Sequence, residues 1–161
     1  MARGVRLRAW RDDPDDVAAL VAAWMDPSVA RANPVPSDPS PAAARRWIAG
    51  EPERRLRGLA LDLVISPFDG DDVWGEVGLR GFDVAVRRSE IGWWLGPEAR
   101  GRGVAAAAVD LAATWALGEP LGLRQVWARV APDNVTSSRV AAAAGFRLLG
   151  HAGGGEVWAR P

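Results

Sequence analysis

Hydrophobic and polar positions change their spacing several times along the chain, and each change predicts a new element. Residues 5–10 alternate as in a half-buried strand. Acidic residues follow, and then Val17, Leu20, Val21 and Trp24 recur at helical spacing. The N-terminal part is therefore predicted to run from a strand into an amphipathic helix.

Prolines interrupt the pattern after this helix. Residues 26–40 contain so many of them that we predict an irregular, exposed loop. A helix is predicted over residues 40–56, with Ser40 as its N-cap and Pro41 in its first turn.

The remaining elements alternate between the two periodicities and form a mixed α/β (α+β) pattern. They are a hairpin of strands at 59–66 and 73–86, a strand at 89–96, a helix from Val104 to Gly118, a strand at 125–132, a helix ending at Gly145 and a closing hairpin. The helix from Val104 carries a predicted buried stripe of Ala108, Leu111 and Trp115. With 161 residues, we expect one domain over residues 1–161.

Composition excludes several kinds of chemistry. All 20 basic residues are arginine and balance 20 acidic residues, so neither a nucleic-acid partner nor a membrane surface is indicated. Without lysine or cysteine there is no phosphate-loop lysine, Schiff base or thiolate nucleophile. A single histidine excludes a multi-histidine metal site, and the absence of tyrosine excludes a tyrosine general acid. Because the apolar runs are short and the start lacks a signal-peptide core, we expect a cytoplasmic location.

The junction "LGPEARGRGV", residues 95–104, has the features of an anion site. A helix start presents unpaired backbone N–H groups and a positive dipole end. Gly101 and Gly103 allow a diphosphate to approach the backbone, and Arg100 and Arg102 add positive charge. The sequence therefore predicts phosphate binding at this junction.

Two phosphate-binding patterns compete for these residues. Taken as GxGxxA, the loop lacks the acidic residue that a dinucleotide site needs about 20 residues later. Taken as RxxGxA, with Arg100, Gly103 and Ala105, it resembles the acyl-CoA loop of the GNAT superfamily of N-acyltransferases. The "PDNVTS" helix start and the later "GF" follow in the order typical of the RimJ/RimL-like branch, so residues 89–150 resemble that branch closely.

This resemblance implies a mixed, mostly antiparallel sheet flanked by helices, whose central strands, 89–95 and 125–131, splay apart around the pantetheine arm of acetyl-CoA. Trp94 and Leu95 are expected to pair with that arm through their backbone. The diphosphate would be held by Arg100, Gly101, Arg102, Gly103, Val104 and Ala105. Asn134 and Ser137 would flank the thiol, although Asn134 could equally be only a helix cap.

Acetyl transfer to an amine also needs proton transfers. Glu90 occupies the place of the superfamily's carboxylate base, but it is roughly 17 Å along the strand from Leu95, so a water relay is expected. Glu76 is the reserve candidate, and either glutamate could instead be structural, with an arginine partner. Where many members have a tyrosine, this chain has Ala141. Ser137 is therefore the nearest group that could assist the leaving thiolate.

We accordingly predict an acetyl-CoA-dependent N-acetyltransferase that acts by direct attack in a ternary complex, without a metal. The acceptor would be a protein N-terminal α-amine or a small amine such as an aminoglycoside, with the loop 33–41 lining its site. A non-catalytic acyl-CoA-binding or sensing domain is the alternative from another class. Whether the protein forms a homodimer is left open.

Overall fold

The computed structural model describes residues 4–161, and its elements follow the predicted alternation. The strands are β1 (Val5–Ala9), β2 (Ala60–Pro67), β3 (Gly75–Asp83), β4 (Arg88–Leu95), β5 (Gln125–Val130), β6 (Arg147–Ala152) and β7 (Gly155–Arg160). The helices are α1 (Pro14–Met25), α2 (Pro27–Ala32), α3 (Pro41–Ala49), α4 (Glu51–Leu56), α5 (Val104–Leu117) and α6 (Val135–Ala143). No helix in this part of the chain is long and apolar enough to cross a membrane.

One seven-stranded sheet runs in the order β1-β2-β3-β4-β5-β7-β6. All neighbours are antiparallel except β4 and β5, which are parallel and pair only at Arg88, Ser89 and Glu90 of β4. Beyond Glu90 these two strands separate. The predicted mixed, mostly antiparallel fold with splayed central strands is therefore confirmed.

Each face of the sheet has its own apolar core. Helices α5 and α6 cover one face, where Ile65, Ile91 and Val126 are buried. Helices α1 and α3 cover the other, around Leu20 and Val64. Both strands that separate, β4 through Ile91 and β5 through Val126, are thus packed into the core on the α5 face.

The prediction of an irregular loop over residues 26–40 was wrong at its N-terminal end, where α2 forms. Asp26 caps this helix by accepting a hydrogen bond from the backbone N–H of Ser28 at 2.8 Å. Pro27 occupies the first turn, where its missing N–H costs no hydrogen bond. The prediction took every proline in this segment as a helix breaker, but a proline in the first turn, such as Pro27, favours a helix.

The predicted helix over residues 40–56 is interrupted. Ser40 caps α3 as expected and accepts from the N–H of Ala43 at 3.2 Å, but α3 ends before Gly50 and α4 begins at Glu51. Pro52 explains the break, because proline in a helix interior clashes with the carbonyl of the preceding turn.

The predicted buried stripe of α5 is only half correct. Val104 and Ala108 are buried, whereas Leu111 and Trp115 are each 43% exposed. The face against the sheet is formed mainly by small residues: Ala105, Ala108, Val109, Ala112, Ala113 and Ala116. Small side chains let the helix approach the sheet closely, and the larger residues are left outside.

Candidate active site

A cleft of about 500 Å³ opens where β4 leaves β5. It lies between the end of β4, the start of α5, α6 and α2. Nine of the predicted site residues line it: Trp94, Leu95, Arg100, Gly101, Gly103, Val104, Ala105, Asn134 and Ser137. Arg102 and Glu90, also predicted, are not among its lining residues.

The loop before α5 leaves its backbone open to the cleft. Gly101 and Gly103 have positive φ angles of 70° and 73°, and a Cβ at either position would meet no atom within 4 Å. The first helical hydrogen bond of α5 runs from the N–H of Ala107 to the carbonyl of Gly103. The N–H groups before it have no helical partner, as an anion site requires.

Arg100 is held in place at the cleft by two contacts. Its Nε donates to the carbonyl of Leu95 at 3.0 Å, and its Nη2 donates to Asp26 Oδ2 at 2.5 Å. Hydrogen bonds from the Ser28 hydroxyl, and next from Arg100, hold the pKa of the Asp26 carboxyl well below its usual range. Asp26 therefore stays charged and ties the start of α2 to the loop before α5.

Arg102 is directed elsewhere. Its guanidinium lies 5.1 Å from the centre of the Trp74 ring and donates to the carbonyl of Glu98 at 2.9 Å. In this conformation it contributes long-range positive charge, without lining the cleft.

The separation of the strands leaves backbone groups of β4 unpaired on the cleft side. The N–H of Gly96 donates to the carbonyl of Trp74, which precedes β3, at 2.9 Å. Because successive residues of a strand point their backbone groups to opposite sides, those of Trp94 point to β3, and those of Leu95 and Trp93 point to the cleft. Trp93 was not among the predicted residues, although strand parity could have indicated it.

Ser137 lies at the border of the cleft. Asn134 caps α6 by accepting from the N–H of Ser137 at 3.1 Å. Within residues 4–161 the Ser137 hydroxyl makes no hydrogen bond, whereas the hydroxyl of Ser138 donates to Glu156 at 2.6 Å. Ser137 is thus the hydroxyl that remains available to a bound molecule.

A second cavity of about 290 Å³, here called the adjoining pocket, lies beside the cleft. It is formed by the end of α2, the middle of β4, the end of β5 and the β6–β7 turn. Ala32, Asn33, Trp93, Asn134 and Ser137 line both cavities. Two molecules, one in each cavity, would meet at these residues.

The two glutamates considered as bases line neither cavity. Glu90 accepts from Arg80 Nη2 at 3.1 Å, and Arg80 lines the adjoining pocket. Glu76 accepts from the indole N–H groups of Trp10 at 2.9 Å and Trp94 at 3.3 Å. Burial raises the pKa of Glu76 to about 8, with a further contribution from a neighbouring carboxylate. Glu76 is therefore protonated at neutral pH, whereas Glu90 is ion-paired.

Of the proline-rich loop 33–41, which was predicted to line the acceptor site, only Asn33 lines either of these two cavities. Pro34, Val35 and Pro36 instead line a separate cavity with Trp24 and Trp47.

The raised pKa of Glu76 predicts a dependence of stability on pH. Between its ordinary pKa of 4.5 and its folded pKa of about 8, the folded state holds a proton that the unfolded state releases. The free energy of unfolding should therefore fall as the pH rises through this range, and Glu76→Gln should remove that contribution. Urea unfolding at pH 5 and pH 8 measures the difference. Glu53→Gln, at an exposed carboxylate, is the control, and equal pH dependence in all three proteins would contradict the prediction.

The chain matches a known family model. Residues 5–147 match the model described as acetyltransferase (GNAT) domain, so the chain belongs to this family. It is an acetyltransferase, and acetyl-CoA as its co-substrate follows from that membership. Within residues 4–161 no group of three or more metal-ligating side chains is placed to hold a metal ion. No curated protein matched the chain in sequence.

Solved structures share the fold at low sequence identity. Mycobacterium smegmatis RimJ in complex with CoA-disulfide has a TM-score of 0.82 and 23% identity, over 97% of this chain and 81% of that one. The microcin C7 self-immunity acetyltransferase MccE, in complex with acetyl-CoA and AMP, has values of 0.80 and 18%, over 97% and 91%. RimL, a ribosomal L7/L12 alpha-N-protein acetyltransferase, in complex with coenzyme A, has 0.78 and 20%, over 97% and 93%. RimJ and RimL represent the branch that the sequence resembles.

Proposed function

We propose that the protein transfers the acetyl group of acetyl-CoA directly to a primary amine within a ternary complex. The observation that carries this proposal is the meeting of two cavities at Trp93, Asn134 and Ser137. One cavity has an anion-binding helix start, and the other has none of that loop's residues. Each reactant can therefore enter from its own side and meet the other at the shared border.

Acetyl-CoA fits the cleft with its diphosphate at the start of α5. Arg100 and the free N–H groups after Gly103 face that position. The amide-containing pantetheine arm then extends along β4 and pairs with the free N–H of Leu95 and the free backbone groups of Trp93, as an added strand would. This direction brings the thioester to the border of the adjoining pocket.

In the transfer step, the neutral amine attacks the thioester carbonyl carbon, a C–N bond forms and the C–S bond breaks. Glu90 takes the proton of the amine through water, and the Ser137 hydroxyl donates a hydrogen bond to the departing sulfur. The chain has no cysteine, so no acetyl-cysteine intermediate can form.

A protein N-terminal α-amine is the acceptor we favour. RimL, which shares the fold, is described as an alpha-N-protein acetyltransferase. An α-amine, with a pKa near 7.7–8.0, is also far more often neutral at pH 7 than a lysine amine. A small amine, including an aminoglycoside, is the second candidate.

Acetyl-CoA at about a hundredfold excess over its Kd should raise the free energy of unfolding by ~2.7 kcal/mol. For a chain of this size that corresponds to a rise in Tm of roughly 5–10 °C. NAD at the same concentration is the control for the competing phosphate-binding pattern. Thermal unfolding measures both, and stabilisation by NAD alone would contradict the assignment. Release of CoA on addition of amines then separates an enzyme from a binding domain, which would show the Tm rise without turnover.

A further inference from the structure

The adjoining pocket has a strongly one-sided charge. Three arginines from three different elements line it: Arg31 at the end of α2, Arg80 on β3 and Arg129 on β5. No aspartate or glutamate is among its lining residues. This contrasts with the balanced charge of the whole chain, 20 basic against 20 acidic residues.

Two of the three guanidinium groups are available to a ligand. Arg80 is paired with Glu90 at 3.1 Å. Arg31 and Arg129 form no ion pair within residues 4–161, and the only aromatic partner of Arg129 there is Trp127, at 5.5 Å from the ring centre. Both side chains belong to exposed residues. The pocket therefore presents two unneutralised positive charges beside the place where the amine must lie.

Two carboxylates lie on strands that border the pocket, Glu156 on β7 and Glu90 on β4, and within residues 4–161 neither forms an ion pair with Arg31 or Arg129. Glu156 follows the β6–β7 turn, but its Oε2 already accepts from Ser138 at 2.6 Å and from the indole N–H of Trp158 at 2.8 Å. Glu90 is engaged by Arg80. A ligand carboxylate would thus not have to displace an internal partner of Arg31 or Arg129.

We propose that the acceptor is the α-amine of a polypeptide with acidic side chains close to its N-terminus, which pair with Arg31 and Arg129. This deepens the proposed function and rests on it. The two arginines come from separate elements, α2 and β5, and line one pocket, so each can pair with its own carboxylate along an extended peptide. Residues of such a peptide are about 3.4 Å apart, which places the second to fourth side chains within the pocket region.

The same charges assist the reaction in a second way. Positive groups near an amine disfavour its protonated form and lower its pKa. An acidic residue in the acceptor offsets the repulsion between the arginines and the amine while the peptide binds.

Two peptides that differ only in charge test this proposal: one beginning Ala-Glu-Asp and one beginning Ala-Gln-Asn. The acidic peptide should have a kcat/KM at least about tenfold higher, the ratio expected for one good charge-assisted hydrogen bond. The preference should shrink at high ionic strength. Arg129→Gln should reduce it, and Arg129→Glu should reverse it in favour of a peptide beginning Ala-Lys-Arg. Arg147→Gln, at an exposed position on β6, should leave it unchanged.

Three outcomes overturn the proposal. Equal kcat/KM for the acidic and neutral peptides would remove the acidic preference but leave the acetyltransferase function intact. Acetylation of phosphoethanolamine without acetylation of either peptide would indicate a small anionic amine. A loss of preference in Arg147→Gln as large as in Arg129→Gln would show a general charge effect. Failure of the function itself would appear separately, either as no acetyl-CoA-dependent rise in Tm or as a rise in Tm without release of CoA with any amine.

Discussion

Glu90→Gln is expected to lower turnover at pH 7 by about 10²–10⁴-fold, the usual cost of losing a general base. Acetyl-CoA affinity should change little, because Glu90 does not line the cleft. The loss should diminish as the pH rises, since an amine that is already neutral needs no base. The measurement is kcat against pH with the best amine from the acceptor screen, together with acetyl-CoA binding by calorimetry.

Two variants make this result specific. Glu76→Gln changes a carboxyl that is protonated at neutral pH and held by two indoles, so its turnover at pH 7 should stay near that of the wild type. Ser137→Ala removes one hydrogen bond and should cost roughly two- to tenfold. Wild-type turnover in Glu90→Gln at pH 7 would mean that Glu90 only holds Arg80, and that the amine attacks without a general base.

Gly103→Asp is expected to weaken acetyl-CoA binding by about 100-fold or more relative to Gly103→Asn. Aspartate and asparagine have nearly the same shape, and both tolerate the left-handed backbone of Gly103 better than most residues do. Their difference therefore isolates the negative charge. Placing like charges together in an interface costs several kcal/mol, and each 1.4 kcal/mol is a factor of ten. Calorimetry with acetyl-CoA measures both variants.

Gly81 provides a control for the backbone. Its φ is 59°, a Cβ there would also meet no atom within 4 Å, and it does not line the cleft. Gly81→Asp and Gly81→Asn should bind acetyl-CoA alike. If Gly103→Asp and Gly103→Asn also bind with the same affinity, the diphosphate does not lie at the start of α5.

The parts of the site that are local in sequence were the most predictable. The caps at Ser40 and Asn134 and the glycine-containing start of α5 depend on residues a few positions apart, and the structure contains all three. The spacing of these residues is enough to predict the local geometry, because a helix start fixes the direction of its free N–H groups. The splay of β4 and β5 was inferred from the family resemblance and could not be obtained from periodicity.

Features that depend on distant residues were not predictable. Arg100 is oriented by Asp26, 74 positions away, and nothing in the local sequence connects them. The backbone of Trp93 faces the cleft because Gly96, three residues later, is hydrogen-bonded to Trp74 on the other side of β4. That pairing joins segments that are distant in sequence. Burial likewise raises the pKa of Glu76, and burial is known only once the strands are paired.

The short pairing between β4 and β5 affects the local motions of the sheet. Only Arg88, Ser89 and Glu90 connect the two strands, so the amides of Trp93 and Leu95 have no strand partner until a cofactor supplies one. In the empty protein these two amides should exchange their hydrogens with solvent quickly, although both lie in β4, a central strand of the sheet. The bound pantetheine would act as a removable eighth strand, and exchange at these two positions would report whether it is in place.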